Sequence, residues 1–157
     1  MTFGDFPYND MKTIPTVIMA MVAGVVSGQD TKPAPAAGTV KDGVKHVDAA
    51  GAKALLDAAA KDGTKEGKAK VVILDVRTAD EFKAGHLKGA VNVDFMGKEF
   101  EKGVGGIDKD AVVVVHCQAG GRSARSLPKL KALGFKNLVH LDGGFGGWVD
   151  AGLPVEK

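Results

Sequence analysis

The chain has one cysteine, Cys117, among 157 residues. That excludes an intramolecular disulfide and a zinc site built from cysteines alone. Charge of one sign is lacking too. Twenty-one Lys and Arg against 19 Asp and Glu leave a formal net charge of +2, too small and too evenly spread to argue for nucleic acid. Basic residues cluster only at Lys61, Lys65, Lys68 and Lys70, where Asp62 and Glu66 interrupt them, and that stretch reads as a solvated loop. No internal repeat is visible. The histidines His46, His86, His116 and His140 are scattered and show no metal-ligand spacing, so neither a metal nor an organic cofactor is expected.

The length suffices for one domain with a real core. Hydrophobic residues at 45% and charged residues at 25% are ordinary for a globular chain, whereas 22 glycines leave many positions free to turn sharply. From Met11 the chain reads as an export signal. Lys12 is the positive start, Ile14 to Val26 is an apolar stretch of about 13 residues, and Val26-Ser27-Gly28 offers a cleavage site. The stretch is short for a spanning helix, which wants about 20 apolar residues. Residues 1–28 are therefore expected to be a signal peptide for a secreted, periplasmic protein. Asp5 and Asp10 sit where a signal wants base, which favours Met11 as the true start. An uncleaved N-terminal membrane anchor is the competing reading. Residues 29–43, rich in Pro, Ala and Gly, read as a flexible linker, and 44–157 as the folded domain.

Strand and helix patterns alternate within that domain. Strands are expected at Val44–Val47, Val71–Val76, around Val91 and Val93, at Val112–Val115 in the centre, and at Leu138–Leu141. Helices are expected over Ala49–Ala60 with Asp48 as cap, over Ala79–Ala84 with Asp80 and Glu81 in the first turn, over Ser123–Leu133, and as a last turn from Gly146 to Ala151. This predicts an α/β fold, one mainly parallel central sheet flanked by helices. Pro128 lies inside the third helix, where its missing N–H is expected to cost a hydrogen bond.

The informative segment is V-V-V-V-H-C-Q-A-G-G-R-S-A, from Val112 to Ala124. A buried strand delivers Cys117 to its carboxyl end, where α/β sheets place ligand crevices. Gln118, Ala119, Gly120, Gly121, Arg122 and Ser123 form a turn that opens into a helix. Two glycines let the turn curl with its amides inward, the helix N-terminus adds positive potential, Arg122 adds a permanent cation and Ser123 a hydroxyl. Such surroundings lower a thiol from about 8.5 to 7 or below, which makes a nucleophile of it. The same donors would hold an anionic persulfide or an oxyanion such as thiosulfate, with Arg122 on its sulfonate end. A structural core cysteine has no need of them.

The loop C-Q-A-G-G-R-S resembles the active-site loop of the rhodanese family. I-L-D-V-R (Ile73 to Arg77) with Glu81 and Phe82 resembles that family's first signature, and G-H-L-K-G-A-V-N-V (Gly85 to Val93) its second. L-D-G-G-F-G-G-W (Leu141 to Trp148), then Gly152 and Pro154, is similar to its C-terminal segment. The resemblance implies a rhodanese-type, thiosulfate sulfurtransferase-like enzyme with a Cys117 persulfide. The donor would be thiosulfate or polysulfide, and the acceptor a thiol, cyanide or protein.

Two rivals stand beside it. One is a cysteine phosphatase or arsenate reductase on the same fold. Against it, related phosphatases place five residues between cysteine and arginine, and here four, Gln118 to Gly121, separate Cys117 from Arg122. A reductase would also need a second, resolving cysteine. The other rival is a non-enzymatic persulfide carrier serving a partner protein. Asp75 and Arg77, at a strand end, are accessory candidates that brace the loops. His86 reads as a turn-stabilising donor, Phe145 and Trp148 as lid packing, and no His/Asp dyad stands near Cys117 in the sequence.

Overall fold

The computed structural model describes residues 38–62 and 70–157. The expected signal peptide, most of the expected linker and the middle of the lysine-rich stretch lie outside those residues. Strands β1 (Thr39–Lys41), β2 (Val44–Val47), β3 (Val71–Asp75), β4 (His86–Leu87), β5 (Val91–Asn92), β6 (Val112–His116), β7 (Asn137–Leu141) and β8 (Val155–Glu156) are interspersed with helices. The helices are α1 (Ala49–Asp62), α2 (Ala79–Ala84), α3 (Phe100–Gly105), α4 (Gly121–Ala132) and α5 (Gly144–Asp150). Six strands form one sheet in the order β1-β2-β7-β6-β3-β5, and β4 pairs with β8 in a separate ribbon. Only β1 runs antiparallel to its neighbour; the other pairings in the sheet are parallel.

The β-branched run of β6 suits a strand packed on both faces. Val113 and Val115 meet Leu127 and Leu130 of α4 and Phe100 and Val104 of α3. Val114 faces the other way, into a cluster with Ala52 of α1 and Trp148 of α5. Each such fully buried aliphatic side chain contributes about 1.5–3 kcal/mol, so the strand that carries Cys117 is anchored in buried clusters on both faces of the sheet. The helix starts are fixed locally. Asp48 accepts from the Gly51 amide at 2.7 Å at the start of α1. Thr78 and Glu81 form a reciprocal capping box on α2.

The fold departs from the sequence expectations in several places, among them helix α3 (Phe100–Gly105), a stretch for which the sequence pattern announces no element. The sheet begins at Thr39, inside the stretch read as linker, because β1 turns back on β2 through Asp42 and Gly43, both at positive φ. Helix α4 begins at Gly121, two residues before Ser123, so Ser123 lies in its first turn. Pro128 consequently sits deep inside α4, and the helix runs on through it to Ala132 with Leu127 and Leu130 buried on either side. Helix α5 starts at Gly144, two residues earlier than expected, and the β4–β8 ribbon has no strong apolar alternation to announce it.

Candidate active site

Cys117 leaves the carboxyl end of β6, with β3 and β7 as its neighbours on either side. Each of those strands delivers side chains to the same rim: Asp75 and Arg77 from β3, His140 and Asp142 from β7. The loop from Cys117 to Ser123 curls because Gly120 adopts φ +89°, and a Cβ there would lie 2.2 Å from the Asp142 carbonyl oxygen. Gly121 faces open space at an ordinary φ. Of the two loop glycines, then, the fold demands Gly120 and not Gly121.

The curl turns donors onto the sulfur. Cys117 is 2% exposed. The Gly120 amide donates to its Sγ at 3.1 Å, and the Ser123 hydroxyl lies 3.5 Å away. Burial alone would push the thiol up, but the Ser123 hydroxyl and the amides of Ser123, Ala119 and Arg122 outweigh it and hold the thiol below its ordinary 9.0. The sulfur is thus buried among donors that prefer it ionised.

The loop backbone is clamped from beyond. The Phe145 amide donates to the Cys117 carbonyl at 2.7 Å, and the Gly146 amide to the Gln118 carbonyl at 2.9 Å. That approach requires Gly144, at φ +58°, where a Cβ would fall 2.4 Å from the Cys117 carbonyl. The glycine-rich segment at 143–147 therefore does more than pack as a lid: it fixes the position of the loop. Its Phe145 ring also covers the Arg77 guanidinium, 4.1 Å from ring centroid to Cζ.

On the β3 side the partners are ions. Arg77 and Asp75 are 1% and 0% exposed and pair through Nε and Nη2 at 2.7–3.0 Å. Arg77 also donates to the Gly85 carbonyl at 2.7 Å and to the Gln118 side chain at 3.2 Å. Through the Gln118 contact the pair touches the loop that carries Cys117. Arg122 forks onto Glu81, 2.6 Å on each arm. That bond is the main reason the Glu81 carboxyl is held at about 2, with Thr78 helping and burial opposing. The same pairing, with the nearby Cys117 sulfur adding to it, raises Arg122 further above its ordinary value. Arg122 is therefore not a free cation waiting for substrate but one already held at the loop mouth by a carboxylate.

On the β7 side the partners are imidazoles, brought to the loop from positions distant in the sequence. Ser123 Oγ lies 2.8 Å from His140 Nε2 and donates to the Gly120 carbonyl at 2.9 Å. His140 Nδ1 lies 2.6 Å from Asp142 Oδ1, which also meets His46 Nδ1 at 2.7 Å. A His/Asp pair therefore does stand beside Cys117, reached through Ser123. Sequence alternation alone puts His140 and Asp142 on one face of a strand, but His46 joins them only because β2 pairs with β7, His46 opposite His140. Burial pushes Asp142 up, but hydrogen bonds from His46 and His140 prevail and keep it below its ordinary value. Histidines that look scattered along the chain thus form, with Asp142, one cluster whose donor atoms lie within 4.8 Å of one another.

Two other histidines are structural. His116 is 0% exposed, and burial lowers its pKa against the pull of Asp75. As a neutral ring it donates from Nδ1 to the Cys117 carbonyl at 3.3 Å, and its Nε2 has no partner. His86 stacks on Phe82 with ring centroids 3.9 Å apart and meets the Phe82 carbonyl at 3.1 Å.

The model of the rhodanese-like domain family matches residues 56–151, and the chain belongs to that family. Chloroplastic thiosulfate sulfurtransferase 16 of Arabidopsis thaliana is 34% identical over 97 residues, which are 53% of this chain and 78% of that protein. The mitochondrial protein High Arsenic Content 1 of the same plant is 36% identical over 94 residues, 54% of this chain; the match spans 56% of that relative, little more than half its length. Among solved structures, a rhodanese-related protein from Thermoplasma volcanium is 26% identical with a TM-score of 0.57, covering 71% of this chain and 96% of that one. A Rhodopseudomonas palustris protein described as of unknown function and a possible tyrosine phosphatase is 30% identical, also with a TM-score of 0.57, covering 72% and 85%.

Proposed function

We propose that the protein moves sulfane sulfur from a thiosulfate- or polysulfide-type donor to a thiol, cyanide or protein acceptor through a persulfide on Cys117. The observation that carries this reading is the set of donors, the amides of Ala119, Gly120, Arg122 and Ser123 and the Ser123 hydroxyl, that surrounds one buried sulfur. In the first half, the Cys117 thiolate attacks the outer sulfur of thiosulfate. A Cys117 S–S bond forms, the donor's S–S bond breaks, and sulfite leaves with its electron pair. In the second half, the acceptor attacks the outer sulfur, and the pair of the breaking S–S bond returns to Cys117. The outer sulfur of the intermediate is an anion, which the loop amides suit. Arg122, held by Glu81, supplies positive charge at the mouth without needing to move. Asp75 and Arg77 act through Gln118, as braces of the loop.

These 157 residues hold no second cysteine that could resolve the persulfide, which supports transfer of the sulfur to a separate acceptor. The N-terminal export signal read from the sequence supports a periplasmic setting, tested by mapping the mature N-terminus near Gln29. No helix among the described residues is long and apolar enough to cross a membrane.

Incubation with thiosulfate followed by intact mass should show a gain of one sulfur atom, lost in Cys117→Ala. Steady-state transfer to cyanide should proceed in the same preparation. An adduct without turnover on any small acceptor would favour the persulfide carrier. Turnover of a phosphate ester without the adduct would sink the proposal in favour of the phosphatase reading, the one that the Rhodopseudomonas structure's description raises, and turnover of arsenate would favour the reductase.

A further inference from the structure

We propose that His46, His140 and Asp142 form a binding site for one divalent transition-metal ion of the zinc type, placed beneath the Cys117 loop. The three donor atoms converge from two neighbouring strands. His46 and His140 are register partners across the β2–β7 pairing, and Asp142 is two residues beyond His140, so the set is fixed by the sheet rather than by flexible loops. Both rings present the same nitrogen. Nδ1 of His46 lies 3.3 Å from Nδ1 of His140, and Asp142 Oδ1 lies 2.7 and 2.6 Å from them.

That triangle fits a metal. An ion about 2.05 Å from each atom, the usual zinc distance to imidazole and carboxylate, would sit roughly 1.2 Å out of their plane. The angles between its ligands would then run from about 80° to about 107°, a three-ligand cap with the remaining positions open to water or an anion. Asp142, with its side chain 54% exposed, gives solvent access, whereas His140 at 5% anchors the buried side. The donor set selects the ion: two imidazoles and one carboxylate suit Zn, Ni or Cu rather than Mg or Ca.

The shell behind the ligands is also in place. A metal-bound imidazole carries its proton on the other ring nitrogen and donates it, most often to a carboxylate, a carbonyl or water. His140 Nε2 lies 3.2 Å from the Gly120 carbonyl and 2.8 Å from Ser123 Oγ. With the proton on Nε2, Ser123 accepts from His140, and its own hydroxyl proton is shared between the Gly120 carbonyl at 2.9 Å and Cys117 Sγ at 3.5 Å. The ion would thus stand two side chains, His140 and then Ser123, from the reactive sulfur, while binding three residues outside the loop.

The test uses the full chain carrying Cys117→Ser, so that no thiolate competes for metal and the sulfur-transfer reading is not at stake. Titration with zinc against a chromophoric chelator should give one equivalent bound, and the affinity should fall at least tenfold in His46→Ala and in Asp142→Asn. Both sites of substitution are partly exposed, and circular dichroism checks that the folds survive. In the wild-type chain, with Cys117 present, cobalt(II) should give visible d–d bands without a sulfur-to-cobalt charge-transfer band. Zinc bound only when Cys117 is present, no zinc bound at all, or undiminished affinity in either variant would overturn the proposal and leave the cluster as a hydrogen-bonded His–Asp–His brace.

Discussion

The two sides of the Cys117 loop are built from different chemistry. Toward β3, the supports are fixed charges: Arg77 on Asp75, and Arg122 on Glu81. Toward β7, they are Ser123, His140, Asp142 and His46, joined through hydroxyl and imidazole groups. Guanidinium–carboxylate forks keep one geometry and one charge across the physiological range. Imidazoles change tautomer or protonation with a small energy difference. The difference teaches where each property of the site resides. The shape of the loop depends on the ionic side, and the direction of the last donor to the sulfur depends on the imidazole side.

The comparison breaks most severely at the buried ion pair. Asp75→Ala would leave Arg77 uncompensated at 1% exposure, and removing one partner of a buried pair costs about 3–5 kcal/mol. Urea denaturation should show a loss of that order, large enough to leave much of the chain unfolded at 37 °C. A loss below about 1 kcal/mol, the level of a surface pair, would show that the ionic side does not hold the loop.

Gly120→Ala comes next. A non-glycine residue at φ +89° with its Cβ 2.2 Å from the Asp142 carbonyl must shift that backbone. Such strained positions cost about 1–3 kcal/mol, and the Gly120 amide would swing off Sγ, so sulfur transfer should drop even in protein that remains folded. Gly121→Ala, beside open space, is the control and should be mild on both counts.

Ser123→Ala removes the junction of the imidazole side. The Ser123 hydroxyl and amide are among the donors that hold the thiol down against burial, so the pH midpoint of Cys117 alkylation by iodoacetamide should rise when the hydroxyl is removed. The wild-type midpoint should lie below the ordinary 9.0. An unchanged midpoint in the variant would assign the thiol's acidity to the amides alone.

The smallest effect is expected at Glu81→Gln, since both partners are partly solvated, 32% and 23% exposed. Such pairs contribute about 1 kcal/mol or less. The folded Glu81 carboxyl is held at about 2 against an ordinary 4.5, so its stabilisation is complete above pH 4.5 and disappears as pH falls toward 2. Wild-type and variant stabilities should therefore differ at pH 7 and converge near pH 2. A constant gap across that window would mean that the Arg122 pairing is not its source.

The sequence by itself settled whatever depends on neighbours along the chain. The run Val112–Val115 names a buried central strand because β-branched residues with no polar alternation fit only a sheet covered on both faces. Cys117, Gly120 and Arg122 name a donor-lined loop because amides within one turn need no distant partner to converge. Tertiary structure decided whatever depends on strand order. Which strand lies beside β6 is set by the packing of the whole sheet, and that placed Asp75 and Arg77 on one side of the loop and His140 on the other. Arg122, read as a free anion binder, is held by Glu81 because α2 and α4 meet at the rim. His46, 94 residues from His140, stands beside it only because β2 joins β7. A contact of that sequence separation leaves no period or spacing in the chain, because the backbone path between the two residues is set by all the packing in between.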